Sequence, residues 1–353
     1  MLKFHRLKIK STVPVAEDAL CITFELPSHL REDYRFKAGQ HVTVRLPGAE
    51  DVRRSYSIVS PADSEDLSIG VRVLPSGRVS SFLAKQAKPG ESLDVLTPNG
   101  SFHTRIEPQR AKRYVMFAAG SGITPMMSIA ATVLAAEPRS TIILFYGNRN
   151  SASIMFREEI LALKNRYMSR FTPYFLLSRE PQDIELFNGR LDEERVRLFS
   201  RSLFDPANVD EYFICGPGTM VEDLRKVLRE LGGTAKIHTE LFTTTTAADN
   251  RRPVVRSAER LDTTKVTVVM DGRRKSFKMG RDEFVLDAAA RAGLELPYSC
   301  RAGVCSTCRA KLVSGEVKVH HNVALEDWEL ADGYILCCQA TPTTDRIELS
   351  YDQ

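Results

Sequence analysis

The chain has 353 residues, with 49 Lys and Arg against 45 Asp and Glu and a 43% hydrophobic share. That length predicts two to three domains, and the apolar share is ample for real cores. A net charge of +4, spread along the chain, makes no case for nucleic acid or an anionic membrane surface as partner.

The N-terminal "MLKFHRLKIK" is basic but carries no apolar run behind it, so no signal peptide is expected and the cytoplasm is the expected compartment. Residues 1–108 alternate short β-rich runs with turns: "CITFELP", "HVTVRLP", "RSYSIVS", "LSIGVRVL" and "SLDVLTPNG". Even strand spacing of this kind predicts an antiparallel barrel. In residues 109–242 the strands "RYVMFAAG", "TIILFYGN", "TPYFLLS" and "DEYFICGP" are separated by helical patterns such as "SIMFREEILALKNRY" and "GTMVEDLRKVLRELG". That alternation predicts an α/β doubly wound parallel sheet. Residues 115–136 carry no charge, a length that meets the rule for a membrane span. Gly120, Gly122 and Pro125 punctuate the run, however, so it reads as a buried strand, a glycine turn and a helix with proline in its first turn. Residues 243–262 lack periodicity and read as a mobile tether. Residues 263–353 open on "KVTVVMDGRRKSFKM", a hairpin turning at Asp271-Gly272, followed by the short helix "FVLDAAARAGL".

Seven cysteines do not make a disulfide framework here, and a reducing compartment fits them better. Cys300, Cys305 and Cys308 lie in "PYSCRAGVCSTC", and a further pair, Cys337 and Cys338, in "GYILCCQ". Read through Cys338, the spacing is C-x4-C-x2-C-x29-C, the plant-type ligand pattern of a [2Fe–2S] cluster. Two irons bridged by two sulfides need four thiolates from converging directions. Three come from one tight loop, where Gly303 lets backbone approach closely. Zinc is the rival occupant. Its sites usually pair two C-x2-C or C/H knuckles, and a single C-x2-C is present.

Other motifs carry a resemblance. "GYILCCQATP" is similar to the plant-type ferredoxin segment in which the ligand follows the position of Cys337, which makes Cys338 the fourth ligand and implies an α+β β-grasp fold. Arg54-Ser55-Tyr56-Ser57 resembles the flavin strand of the ferredoxin–NADP reductase superfamily. The resemblance implies Arg54 on the FAD pyrophosphate, Tyr56 against the ring and Ser57 at the hydride-accepting nitrogen. "SGRVSSFL" opens a helix whose amides at Val79, Ser80 and Ser81 are candidates for the pyrophosphate. Gly120-Ser121-Gly122-Ile123-Thr124-Pro125 is G-x-G-x-x-P rather than G-x-G-x-x-G, and the proline form resembles the same superfamily. There it holds the nucleotide's phosphates. Cys215, Gly216 and Pro217 resemble its C-G-P segment, which implies a position beside the nicotinamide, and Phe242 resembles its terminal aromatic near the flavin. Ser178-Arg179 after the third strand is similar to the 2′-phosphate grip of plant-type reductases, with Arg149 nearby, which favours NADPH over NADH.

The order of flavin barrel, nucleotide domain, tether and ferredoxin resembles reductase components of multicomponent oxygenases. "FHRL" (4–7), "DALCITFELP" (18–27), "YRFKAGQH" (34–41), "YGNR" (146–149) and "GYILCCQ" (333–339) resemble more narrowly the reductase subunits of phenylacetyl-CoA epoxidases. The implied reaction takes hydride from NADPH to FAD, splits it into single electrons at the [2Fe–2S] cluster and passes them to a partner oxygenase. The alternatives left open are a reductase for another hydroxylase or a hybrid-cluster protein, and a non-catalytic electron-transfer or redox-sensing subunit. Residues 263–353 hold 12 Lys and Arg against 13 Asp and Glu, a charge of −1. A free ferredoxin would need a stronger steering field, whereas a tether supplies high effective concentration.

Overall fold

A computed structural model describes residues 2–48, 51–243 and 263–352. Most of the expected tether, residues 244–262, lies outside them. Lys3–Thr243 make one compact unit, and residues 263–352 belong to a second.

The first unit begins with strands β1 (Phe4–Ala16), β2 (Ala19–Glu25), β3 (His41–Arg45), β4 (Arg53–Ser57) and β5 (Leu67–Arg72), then helix α1 (Arg78–Gln86) and strand β6 (Ser92–Leu96). They form an antiparallel sheet in the order β4-β3-β6-β1-β2-β5. An Ile58–Ile69 bridge joins its two edges, so the sheet closes on itself. Strand alternation turns Leu7, Ile9, Ile22, Phe24, Val42, Val44, Ile69 and Val95 into the barrel interior. Val79 and Leu83 seat α1 against that core.

The chain then runs through β7 (Arg113–Ala119), α2 (Ile123–Ala136), β8 (Thr141–Asn148), α3 (Arg157–Arg166), β9 (Phe171–Leu177), α4 (Glu193–Ser202), β10 (Glu211–Pro217), α5 (Gly218–Glu230) and β11 (Lys236–Thr243). The five strands are all parallel, in the order β11-β10-β7-β8-β9. Strand order reverses between β7 and β10, and ligands of such sheets bind at that switch point, beyond the carboxyl ends of the strands. The uncharged run 115–136 is β7 and α2. Helix α2 is buried on nearly every face, because the barrel covers the side that the sheet does not. Ser128 Oγ donates to Ser60 O (2.7 Å) and the Ala62 amide donates to Thr132 Oγ1 (2.9 Å), which pins α2 to the barrel. Among the described residues no helix is long and apolar enough to cross a membrane.

One expected helix starts late. The pattern "SIMFREEILALKNRY" predicts a helix from Ser153, but α3 begins at Arg157. Asn150 and Ser153 cap a separate single turn, and Phe156 sits in the left-handed region at φ 58°. That kink lets the Phe156 amide reach Val15 O (3.1 Å) and sets its ring against Gly70 of the barrel. Tertiary packing overrides local propensity there.

The second unit contains β12 (Thr263–Met270), β13 (Arg273–Gly280), α6 (Val285–Arg291), β14 (Arg309–Ser314), β15 (Val317–Val319), α7 (Asp327–Ala331), β16 (Tyr334–Leu336), β17 (Ala340–Pro342) and β18 (Arg346–Ser350). The main sheet is mixed, β13-β12-β18-β14-β16, with β12 and β18 parallel. Asp271 and Gly272 both have positive φ, as a two-residue hairpin turn requires. Helix α6 lies across the sheet through Val285, Leu286, Ala288 and Ala289.

Candidate functional site

The switch point brings two glycine motifs together. Gly120–Gly122 makes one tight turn between β7 and α2, and Cys215–Pro217 ends β10 beside it. A Cβ on Gly122 would stand 2.1 Å from Cys215 O, so only glycine lets these two loops touch. Gly122 therefore shapes the crevice rather than lining it. Thr124 and Pro125 are buried in the body of α2, with Thr124 Oγ1 donating to Ser121 O (2.9 Å). A cavity of 590 Å³ opens over the strand ends. Gly120, Gly216, Pro217, Phe242, Arg149 and Ser178, all singled out in the sequence, line it. Arg190 and Arg72 line it too, as do Ser121, Asn148 and Asp18, which lie within quoted motifs but were not singled out as site residues.

Where barrel and sheet meet, four side chains converge. Ser57 Oγ donates to Glu240 Oε2 (3.5 Å), and Cys215 Sγ lies 4.0 Å from the same oxygen. His41 Nδ1 is 3.9 Å from Glu240 Oε1. Burial pushes the Cys215 thiol pKa up, and the Glu240 charge adds to it, so Cys215 is a thiol rather than a thiolate. Burial also holds His41 down to about 4, which keeps the imidazole neutral. No motif singles out Glu240, yet a signal existed. On β11 it lies two residues before Phe242, hence on the same face, and it is in register with Cys215.

Around this junction, Tyr56 is partly buried against the barrel core, and burial pushes its phenol pKa up against the opposing pull of Arg54. Arg54 is exposed and uses Nη1 on the Arg53 carbonyl (2.7 Å). Its remaining donors suit a phosphate. Arg53, by contrast, is buried in a bidentate pair with Asp51. At α1 the Ser81 amide closes the first helical turn on Gly77 O (2.9 Å), so it is not an open phosphate donor. The amides of Val79 and Ser80 precede that first bond and keep the orientation expected of a helix N-terminus. Ser80 Oγ accepts from the Leu74 amide (3.1 Å), fixing the preceding turn.

At the far end of the cavity, Asp18 binds Arg72 (2.7 Å) and Arg149 (2.9 Å). Two guanidinium groups share one carboxylate, and Arg190 adds a third cation to the lining. Ser178 Oγ donates to Asn148 O (3.2 Å). Arg179 departs from the expectation. It is exposed, outside the cavity lining, and its amide donates to Arg149 O (2.8 Å). The chain turns outward directly after Ser178, and a loop brings Arg190 back instead. These cations and the open strand ends fit a phosphorylated dinucleotide.

In the second unit the four expected cysteines meet as two pairs. Cys300 lies against Cys305, and Cys308 against Cys338. The hydrogen bond between Cys300 and Cys305 pushes the Cys300 thiol pKa up and holds that of Cys305 down, so the two thiols titrate as a pair. The Ala302 amide points at Cys300 Sγ (3.3 Å) and the Cys300 amide at Cys305 Sγ (3.5 Å). Arg301, Gly303 and Ser306 all have positive φ, which curls the loop so that its amides face inward. A Cβ on Gly303 would stand 2.5 Å from His321 O. Two thiol pairs with inward amides fit a binuclear cluster. Cys337 turns away into the core, accepts from Tyr351 Oη (3.1 Å), and is pushed up to about 12 by burial. Its amide donates to Cys308 O (3.2 Å), which draws Cys338 alongside.

Comparison with known proteins agrees with this partition. Residues 6–104 match the oxidoreductase FAD-binding domain, 116–226 the oxidoreductase NAD-binding domain, and 268–343 the 2Fe-2S iron-sulfur cluster binding domain. The chain is 40% identical to a subunit of the 1,2-phenylacetyl-CoA epoxidase of Escherichia coli K12, over 100% of this chain and 99% of that protein. It is 31% identical to the ferredoxin reductase component of the 3-ketosteroid-9-alpha-monooxygenase of Mycolicibacterium smegmatis, over 98% and 97%. Phthalate dioxygenase reductase, at 24% identity, shares the fold with a TM-score of 0.60 over 98% of both chains. FAD, a nicotinamide dinucleotide and a [2Fe–2S] cluster are thus the cofactors of this protein, and it belongs to the family of NAD(P)H-dependent reductase components that deliver electrons to oxygenases.

Proposed function

We propose that this reductase uses NADPH in preference to NADH and serves an oxygenase that acts on phenylacetyl-CoA, in the cytoplasm. The near full-length 40% identity to an epoxidase subunit supports the acceptor. The observation that carries the reaction itself is the junction of Ser57, Glu240 and Cys215 at one end of a cavity whose other end holds Arg149 and Arg190. The functional division is 1–108 for FAD, 109–242 for the nucleotide, 243–262 as tether and 263–353 for the cluster.

When bound, FAD supplies two-electron uptake of hydride and the cluster supplies one-electron transfer. Everything else falls to the chain's own side chains. Arg54 and the amides of Val79 and Ser80 hold the FAD pyrophosphate, and Tyr56 and Phe242 flank the ring. Ser57 presents its hydroxyl to the ring nitrogen, while Glu240 orients that hydroxyl and Cys215 packs the nicotinamide side. Gly120, Gly216 and Pro217 admit the dinucleotide close to backbone. Cys300, Cys305, Cys308 and Cys338 would hold the cluster through their thiolates.

The 2′-phosphate is held by Arg149, Arg190 and Ser178, with Arg179 outside. An arginine–phosphate contact contributes about 1.5–3 kcal/mol, or about one to two decades. Arg190→Ala should raise the KM for NADPH by about that factor and leave NADH nearly unchanged. Equal use of NADH and NADPH by the wild type would replace NADPH with NADH in this reading. A second reading, with a steroid hydroxylase as acceptor, is favoured by the 31% relative. Turnover with each purified oxygenase separates the two.

A further inference from the structure

Asn148, the last residue of β8, lines the cavity and is only 7% exposed. Its amide lies beside the Tyr146 hydroxyl, whose own hydrogen bonds go to the Gly120 carbonyl (2.8 Å) and from the Met155 amide (3.2 Å). Beyond this approach to the Tyr146 hydroxyl, neither Nδ2 nor Oδ1 of Asn148 has a partner in hydrogen-bond geometry among the described residues. Burying an amide without partners is costly, and native proteins rarely leave both ends open. A leucine of similar size would pack there without that cost. An unsatisfied amide on the wall of a ligand cavity is explained if the ligand completes it.

The sheet order says which part of the ligand does so. Ser57, Cys215 and Phe242 mark the reacting end at β10 and β11, whereas Asn148 ends β8, two strands from β10. At about 4.8 Å per strand that is roughly 10 Å from the reacting end, on the side of Arg149 and Ser178. The non-reacting half of a pyridine dinucleotide is its adenosine half, which offers hydroxyl and amine donors and ring-nitrogen acceptors.

We infer that Asn148 is a recognition residue for the adenosine half of the dinucleotide, its Oδ1 accepting from a hydroxyl or amine of that half. This rests on the proposed nucleotide cavity. Asn148 touches no reacting atom, so its contribution is to binding.

Asn148→Leu and Asn148→Ala, each as flavin- and cluster-loaded protein, would be titrated calorimetrically with NADP+, adenosine 2′,5′-bisphosphate and nicotinamide mononucleotide, alongside nucleotide-free melting. The expected result is an affinity loss of about five- to tenfold for NADP+ and the bisphosphate, the factor for one hydrogen bond. Affinity for nicotinamide mononucleotide stays unchanged, and Asn148→Leu melts at or above the wild-type temperature. Unchanged bisphosphate affinity in either folded variant overturns the inference. So does a lower melting temperature of Asn148→Leu with wild-type affinity, which would assign the amide to an ordered water and a structural role. Ser121→Trp, which fills the cavity beside Gly120, separates the two levels. Wild-type NADP+ affinity in that variant defeats the cavity reading itself, whereas lost affinity there with normal affinity in both Asn148 variants defeats only the role of Asn148.

Discussion

At the scale of single residues, the two adjacent cysteines show how far chemistry follows from position. Cys338 meets Cys308, while Cys337 is held in the core by Tyr351. Cys337→Ser is therefore expected to retain two irons and two sulfides per chain, and Cys338→Ser to lose them; iron and sulfide assays decide this, and the reverse pattern would exchange the assignments. Glu240 is the second case. It gathers Ser57 and Cys215 without occupying a position that composition would pick out. If Glu240 orients the Ser57 hydroxyl as proposed, Glu240→Gln should slow flavin reduction by the nicotinamide dinucleotide about 10–100-fold while flavin content stays normal, the one to two decades of a hydrogen bond to a charged group. An unchanged single-turnover rate would make the carboxylate structural. The cysteine spacing and the G-x-G turn were legible because each is a local, sequential requirement. Arg190 was not, because loop geometry rather than spacing returns it to the cavity, and the same geometry turns Arg179 away.

Elements are held in register by a buried network at the amino ends of the parallel strands. Glu211 at the start of β10 accepts from His238 of β11 (2.8 Å), Lys112 (2.9 Å) and Thr104 (2.8 Å). Burial alone would raise the Glu211 carboxyl, but these hydrogen bonds outweigh it and hold the pKa at about 2, against an ordinary value of 4.5. The depressed value gives the sign. The stabilisation is complete above pH about 4.5 and is lost as pH falls towards 2. Glu211→Gln should cost about 1.5–3 kcal/mol at neutral pH. It should also flatten the acid limb of the unfolding curve between pH 4.5 and 2. A parallel acid limb in the variant would place the titration elsewhere. Strand and helix order was readable because strand–helix alternation allows few topologies. The late start of α3 was not, since Phe156 adopts a left-handed backbone only to meet Gly70, far away in sequence.

At the scale of the whole molecule, the barrel and parallel sheet make one unit, whose junction gathers Ser57, Cys215 and Glu240, and the cysteine loop belongs to another. The central claim is that electrons enter by the first unit and leave only through the cluster of the second. It is tested most directly by comparing wild type and Cys338→Ser in two anaerobic assays: bleaching of the flavin by NADPH, and turnover of the purified phenylacetyl-CoA oxygenase. The account predicts that Cys338→Ser bleaches its flavin at close to the wild-type rate, shows no paramagnetic signal from a reduced cluster, and supports no oxygenase turnover. Oxygenase turnover at the wild-type rate by the cluster-less variant would contradict it.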